Sequence, residues 1–225
     1  MFVFFYLKVE GLYRMTNLYY IHDPMCSWCY AFDRVLKQIT AELPESIDLV
    51  KLVGGLAPDS TEPMSESLAA MVQGNWKRIE QTVPHIQFNF DFWVANQAIR
   101  STYPACRAVL AAKKQSSDFE DKMIAQIQRA YYKEAGNPSL DETLINCAKQ
   151  IGLKSDLFIS DYKSEFINEQ LLQELQFVRH LGVSSYPSLC LEISGKVLMI
   201  AIDYNNADYI IEQIHRQFAK GLKAI

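Results

Sequence analysis

The chain has 225 residues with a formal net charge of −4; apolar residues make up 49% and charged residues 21%. This balance excludes disorder, collagen and coiled coil, and it offers no basic surface to follow a phosphate backbone. A chain of this length buries roughly 70% of its unfolded surface, so folding needs no disulfide or metal staple.

The apolar stretch Met1 to Leu7 is broken by Lys8 and Glu10, with no basic region before it and no small-residue cleavage site after it. It reads as no signal peptide, and residues 1–14 read as an N-terminal extension ahead of Met15. No run of 18 apolar residues marks a membrane span. The expected compartment is therefore the cytoplasm, with neither nucleic acid nor membrane as a partner. Asn17 to His22 is aromatic and β-branched, a strand signal that Asp23-Pro24 ends. Ser27 to Thr40 places Tyr30, Phe32, Val35, Leu36 and Ile39 at helical spacing. Ile47 to Val53 is a second strand, closed by Gly54-Gly55, so the chain opens with a βαβ unit.

A long helical stretch follows. Pro63 to about Val83 is helical in composition, and the aromatic segment Phe88 to Val94 fits a loop or short strand. Thr102-Tyr103-Pro104 starts a helix with proline in its first turn, continuing to Lys114. Asp118 to Ala135 and Asp141 to Ile151 are two more, and Leu157 to Leu181 holds one or two, with Gly182 as C-cap. Strand patterning returns at Ser188 to Ile193 and Lys196 to Ile202 around a Ser194-Gly195 hairpin turn. Asn205 to Leu222 closes the chain as an amphipathic helix. The predicted class is α/β, with halves 15–62 and 182–225 completing one another around an inserted helical subdomain, 63–181.

Five cysteines are present, and only Cys26 and Cys29 are close in sequence. That is no disulfide framework. Cys106, Cys147 and Cys190 stand among apolar neighbours and read as packed, reduced thiols. A zinc site would need two more ligands, and no second CxxC, CxH or HxxxH exists. Cys26-Ser27-Trp28-Cys29 instead follows a strand and opens a helix, the setting of a redox dithiol. At a helix N-terminus the unpaired N–H groups and the positive dipole end favour thiolate over thiol. Cys26 is expected as the exposed attacking thiolate and Cys29, one turn further in, as the buried resolving thiol. Ser27 and Trp28 hold the two sulfurs on one turn, and Trp28 is expected to offer an exposed docking face. His22 and Asp23 either exchange the Cys29 proton or are strand-end polar groups wetted by solvent. Tyr186-Pro187 stands at a strand start, where a proline lacks no ladder partner; spacing alone leaves a trans and a cis bond open. His85, His180 and His215 have no partner pattern, and Tyr131, Tyr132, Phe88, Phe90, Phe92 and Trp93 fit a core better than a groove.

The dithiol after a strand, the helical insertion and Gly182-Val183-Ser184-Ser185-Tyr186-Pro187-Ser188-Leu189 before a hairpin together resemble the DsbA family of the thioredoxin superfamily. His22 to Tyr30 is most similar to its FrnE-like branch. The resemblance implies a thioredoxin-like fold, a redox pair at Cys26 and Cys29, and a cis proline at Pro187. It implies a thiol–disulfide oxidoreductase without metal or organic cofactor, acting on protein or small-thiol disulfides such as those of glutathione. Tyr186 is bulkier than the residue usual before this proline, and the expected consequence is either a narrower substrate groove or a shifted reduction potential. The alternative is a glutathione-dependent enzyme of the kappa-class transferase or 2-hydroxychromene-2-carboxylate isomerase type. Those enzymes resemble the layout but usually carry serine where this chain has Cys26.

Overall fold

The computed structural model describes residues 16–223. The expected N-terminal extension, 1–14, and Met15 lie outside the described residues. The chain opens with β1 (Thr16–His22), α1 (Ser27–Glu42) and β2 (Ile47–Val53). Seven helices follow: α2 (Glu66–Thr82), α3 (Phe92–Ala95), α4 (Tyr103–Gln115), α5 (Asp118–Tyr132), α6 (Asp141–Gln150), α7 (Ser155–Tyr162) and α8 (Glu165–His180). The chain then returns through β3 (Ser188–Ile193), β4 (Lys196–Ile200) and α9 (Ala207–Lys223).

The four strands form one sheet in the order β2-β1-β3-β4. β1 runs parallel to β2 and antiparallel to β3, and β3 runs antiparallel to β4. The β3–β4 hairpin turns through Ser194 at φ 54° and Gly195 at φ 81°. Two successive positive φ values are what a two-residue turn needs to match the strand twist. Period-two alternation sorts β1 between two cores. Leu18 and Tyr20 pack with Phe32, Val35, Leu36 and Ile39 of α1 and Ile210 and Ile214 of α9. Tyr19 and Ile21 face the other way, onto Val178 and Val183.

The helices share a third core in which α4 is buried along almost its whole length, from Ala105 to Ala112. Met25, Ala31 and Val53 from the βαβ unit belong to the same core, so the helices pack directly onto the dithiol end of the sheet. Trp76, fully buried, is ringed by Phe88, Phe90, Phe92, Trp93, Tyr131 and Tyr132 at centroid distances of 4.9–6.1 Å. These aromatics form core.

Three element boundaries depart from the sequence expectation for local reasons. The segment Phe88 to Val94 contains no strand; the Asn89 side chain accepts from Asp91 N–H at 2.9 Å and turns the chain into α3. α2 starts at Glu66 because the Ser65 hydroxyl caps it, accepting from Leu68 N–H, while Pro63 lies in an isolated bridge to Ile99. β4 ends at Ile200, and the Asp203 carboxylate gathers the N–H groups of Asn205 and Asn206 before α9.

Candidate active site

The site lies where β1 gives way to α1. Asp23 follows the strand and is fully buried. Its Oδ1 accepts from Met25 N–H at 2.8 Å; its Oδ2 accepts from Leu56 N–H at 2.7 Å, from the Thr102 hydroxyl at 2.6 Å and from the Cys106 thiol at 3.7 Å. One carboxylate thus ties the loop before α1, the loop after β2 and the start of α4 together. Burial raises its pKa, opposed by the hydrogen bonds it accepts. His22 is 1% exposed. Burial, then the Lys51 charge, lower its pKa to about 3, so the imidazole is neutral. Its ring stacks on Tyr20 with centroids 5.1 Å apart, and its Nε2 has no partner. Neither residue is wetted by solvent; the polar strand end is roofed by helices that strand patterning alone does not reveal.

Cys26 is the N-cap of α1, with extended backbone at φ −82° and ψ 115°. Its sulfur accepts from Cys29 N–H at 3.3 Å, one of the helix-end donors with no intrahelical acceptor. Its thiol also reaches the Tyr186 carbonyl at 3.5 Å. Cys26 is 5% exposed against 1% for Cys29. The expectation of an openly exposed Cys26 is therefore corrected: the Tyr186 loop leans over it, although it remains the thiol nearer the surface. Burial, followed by the hydrogen bond and charge of Cys26, raises the Cys29 pKa, while a backbone hydrogen bond from Asp23 works the other way. Both cysteines are free thiols, as are Cys106, Cys147 and Cys190.

Tyr186–Pro187 is a cis peptide bond. The Tyr186 hydroxyl donates to the Gly54 carbonyl at 2.7 Å, and its ring lies so close to Gly54 that a Cβ there would fall inside it. Burial, then the Asp23 charge, push the Tyr186 phenol up to about 12. Ser27 opens α1 and is half-buried. Trp28 is half-buried too, not the exposed face expected: it packs on Tyr204 at 4.8 Å, with the Arg78 guanidinium 5.9 Å from its ring. His85, His180 and His215 are exposed. Among the described residues no group of three or more His, Cys, Asp or Glu side chains is placed to hold a metal.

Sequence reasoning missed Thr102 and Cys106, which it read as a helix start and a packed thiol, and it missed Tyr20. The first two meet Asp23 across about 80 residues of chain, and no local pattern carries that contact. Tyr20 was within reach, because alternation puts it on the α1 face of β1.

A helix-capping cysteine paired one turn on, a cis-proline loop against it and a β2-β1-β3-β4 sheet define the thioredoxin superfamily, and helices between β2 and β3 are the DsbA-type elaboration. The family model described as thioredoxin matches residues 19–194, and the chain belongs to that family. A candidate protein disulfide isomerase from Nitrosomonas europaea is 25% identical with a TM-score of 0.80, over 91% of this chain and 98% of that one. The cytosolic disulfide reductase DsbM from Pseudomonas aeruginosa superimposes with a TM-score of 0.70 at 23% identity, over 93% and 100%. The ClpXP adapter protein SpxH from Halalkalibacterium halodurans is 22% identical over 179 residues, which is 78% of this chain. The chain spans 58% of that relative's length. Among the described residues no helix is long and apolar enough to cross a membrane.

Proposed function

We propose that the chain is a thiol–disulfide oxidoreductase in which Cys26 attacks and Cys29 resolves. The observation that carries this reading is the sulfur of Cys26 capping α1, held by Cys29 N–H and facing the Tyr186 carbonyl of the cis-proline loop. In the reducing direction the Cys26 thiolate attacks a substrate disulfide. A mixed disulfide forms and one substrate sulfur leaves as a thiolate. Cys29 then attacks Cys26, closing an intramolecular disulfide and releasing the second sulfur. Substrate gains two electrons and the protein dithiol loses them; run backwards, the same steps donate a disulfide.

A cytoplasmic setting, which we also propose, favours a reductase or isomerase over a net oxidase. Glutathione is the small-thiol partner we propose, and DsbM, of the same fold, has been solved with GSH. Asp23 and Thr102 act as positioning residues for the loop that carries Cys26; Ser27, Trp28, Tyr186 and Pro187 shape its surroundings, and buried His22 supports them. The helices of 63–181 form an insertion into a discontinuous thioredoxin-like domain of 15–62 and 182–225. In the glutathione-transferase alternative the second thiol, Cys29, would have no task.

Insulin reduction and glutathione-disulfide turnover by Cys26→Ser and Cys29→Ser test the reading. Cys26→Ser is expected to lose activity, and Cys29→Ser to accumulate a mixed disulfide at Cys26. Full activity in both variants would overturn it.

A further inference from the structure

Cys29 is 1% exposed, yet it lines a cavity of about 470 Å³ that neither Cys26 nor Tyr186 lines. The cavity lies between α1, the β1–β2 part of the sheet and α5. Its buried wall includes Tyr20, 4% exposed, beside Cys29. Its rim carries charge: Asp33 and Lys37 from α1, Lys51 from β2, and Asp121 and Lys122 from α5. Lys37 pairs with Asp33 at 2.7 Å and Lys51 pairs with Asp121. Tyr20 and Lys51 are register partners on adjacent strands.

A resolving thiol must lose a proton before it attacks, and burial opposes that loss. Two nearby acids are already engaged, Asp33 in its pair with Lys37 and Asp23 in the loop before α1. Both Asp23 oxygens accept hydrogen bonds, four between them, and the His22 ring is buried and neutral. Tyr20 differs. Burial and the charges of Cys29, Cys26 and Asp33 act to keep its phenol protonated, and it shares the cavity wall with Cys29. A phenol held in that state is a donor, not a base. We propose that Tyr20 is a catalytic residue of the resolving step: its hydroxyl donates to the Cys29 thiolate as that sulfur attacks Cys26, and the cavity passes the Cys29 proton to solvent. The Cys26–Cys29 bond forms, the Cys26–substrate bond breaks, and the departing thiolate takes its proton from bulk water. This rests on the dithiol reading above.

The test uses the full chain carrying a 5-thio-2-nitrobenzoate mixed disulfide on Cys26, with stopped-flow release of the coloured thiolate followed against pH. Tyr20→Phe is expected to slow release by about tenfold or more, the scale of one hydrogen bond to a charged group. The pH of half-maximal rate should rise by about one unit, the same change expressed on the pH axis. Alkylation of Cys26 in a Cys29→Ser background should be the same with Tyr20 or Phe at position 20, which a merely structural role would not predict. A folded Tyr20→Phe chain with unaltered release and pH profile overturns the proposal. Should that variant not fold, the unsubstituted chain decides: the Tyr20 Cζ resonance, in chain labelled with ¹³C-tyrosine, must shift in step with Cys29 titration while the phenol stays protonated, and a resonance that ignores Cys29 overturns it. Failure of the dithiol reading is distinguishable, because Cys26→Ser would then retain turnover whatever stands at position 20.

Discussion

His22 makes stability pH-dependent in a way that one substitution isolates. Its folded pKa is about 3, against 6.5 for an unhindered imidazole. Protonation therefore favours the unfolded chain. The stability held by the neutral buried ring is complete above pH 6.5 and is lost as pH falls toward 3. Within that window each pH unit costs about 1.4 kcal/mol, so between pH 8 and pH 4 the loss is about 3 kcal/mol. That is a large part of the 5–15 kcal/mol typical of a folded domain. Buried Asp23 acts in the opposite sense, because a carboxyl whose pKa is raised on folding stabilises the fold as pH falls. His22→Phe keeps a ring to stack on Tyr20, removes the unpartnered Nε2 and leaves Asp23 in place. Urea denaturation of both chains at one-unit pH steps is the assay, and the difference between them cancels the Asp23 contribution. The variant should match or exceed the parent at pH 8 and be more stable by about 3 kcal/mol at pH 4. Parallel stability curves for the two chains would refute the argument.

Gly54→Ala puts a methyl group into the Tyr186 ring, whose hydroxyl end is pinned to the Gly54 carbonyl, and should cost about 1–3 kcal/mol in denaturation. Pairing it with Tyr186→Ala in a double-mutant cycle should recover part of that loss; strictly additive effects would contradict the contact. Thr102→Val removes a donor to Asp23 and the acceptor for Ala57 N–H, both buried, with an expected loss of about 1–3 kcal/mol and a change in the Cys26 alkylation rate. A variant as stable as the parent, with unchanged alkylation, would remove Asp23 and Thr102 from the loop-positioning role.

What could be read from residues alone divides along the range of the interactions. β2 emerges at the expected Ile47 to Val53, because a strand bounded by Pro44 and Gly54-Gly55 is specified locally. The Ser194-Gly195 turn and the Gly182 cap are equally local, each resting on positive φ. Placing Cys26 at a helix start needed only the strand before it and the periodicity after it. Burial of Asp23 is different. It depends on α4 arriving about 80 residues later with Thr102 and Cys106 on the matching face, and no window along the chain contains both partners. The half-burial of Trp28 likewise depends on Tyr204, from the far end of the sequence. Tyr20 stands between these cases: alternation gives its face, but only the packing of α1 and α5 encloses a cavity beside it.

The contact between Tyr186 and Gly54 also constrains the order in which this site can change over generations. A side chain entering at position 54 meets the phenol and costs stability, whereas trimming the phenol first opens room for a small one. Divergence at these two positions is therefore easier in one order, with the aromatic yielding before the glycine.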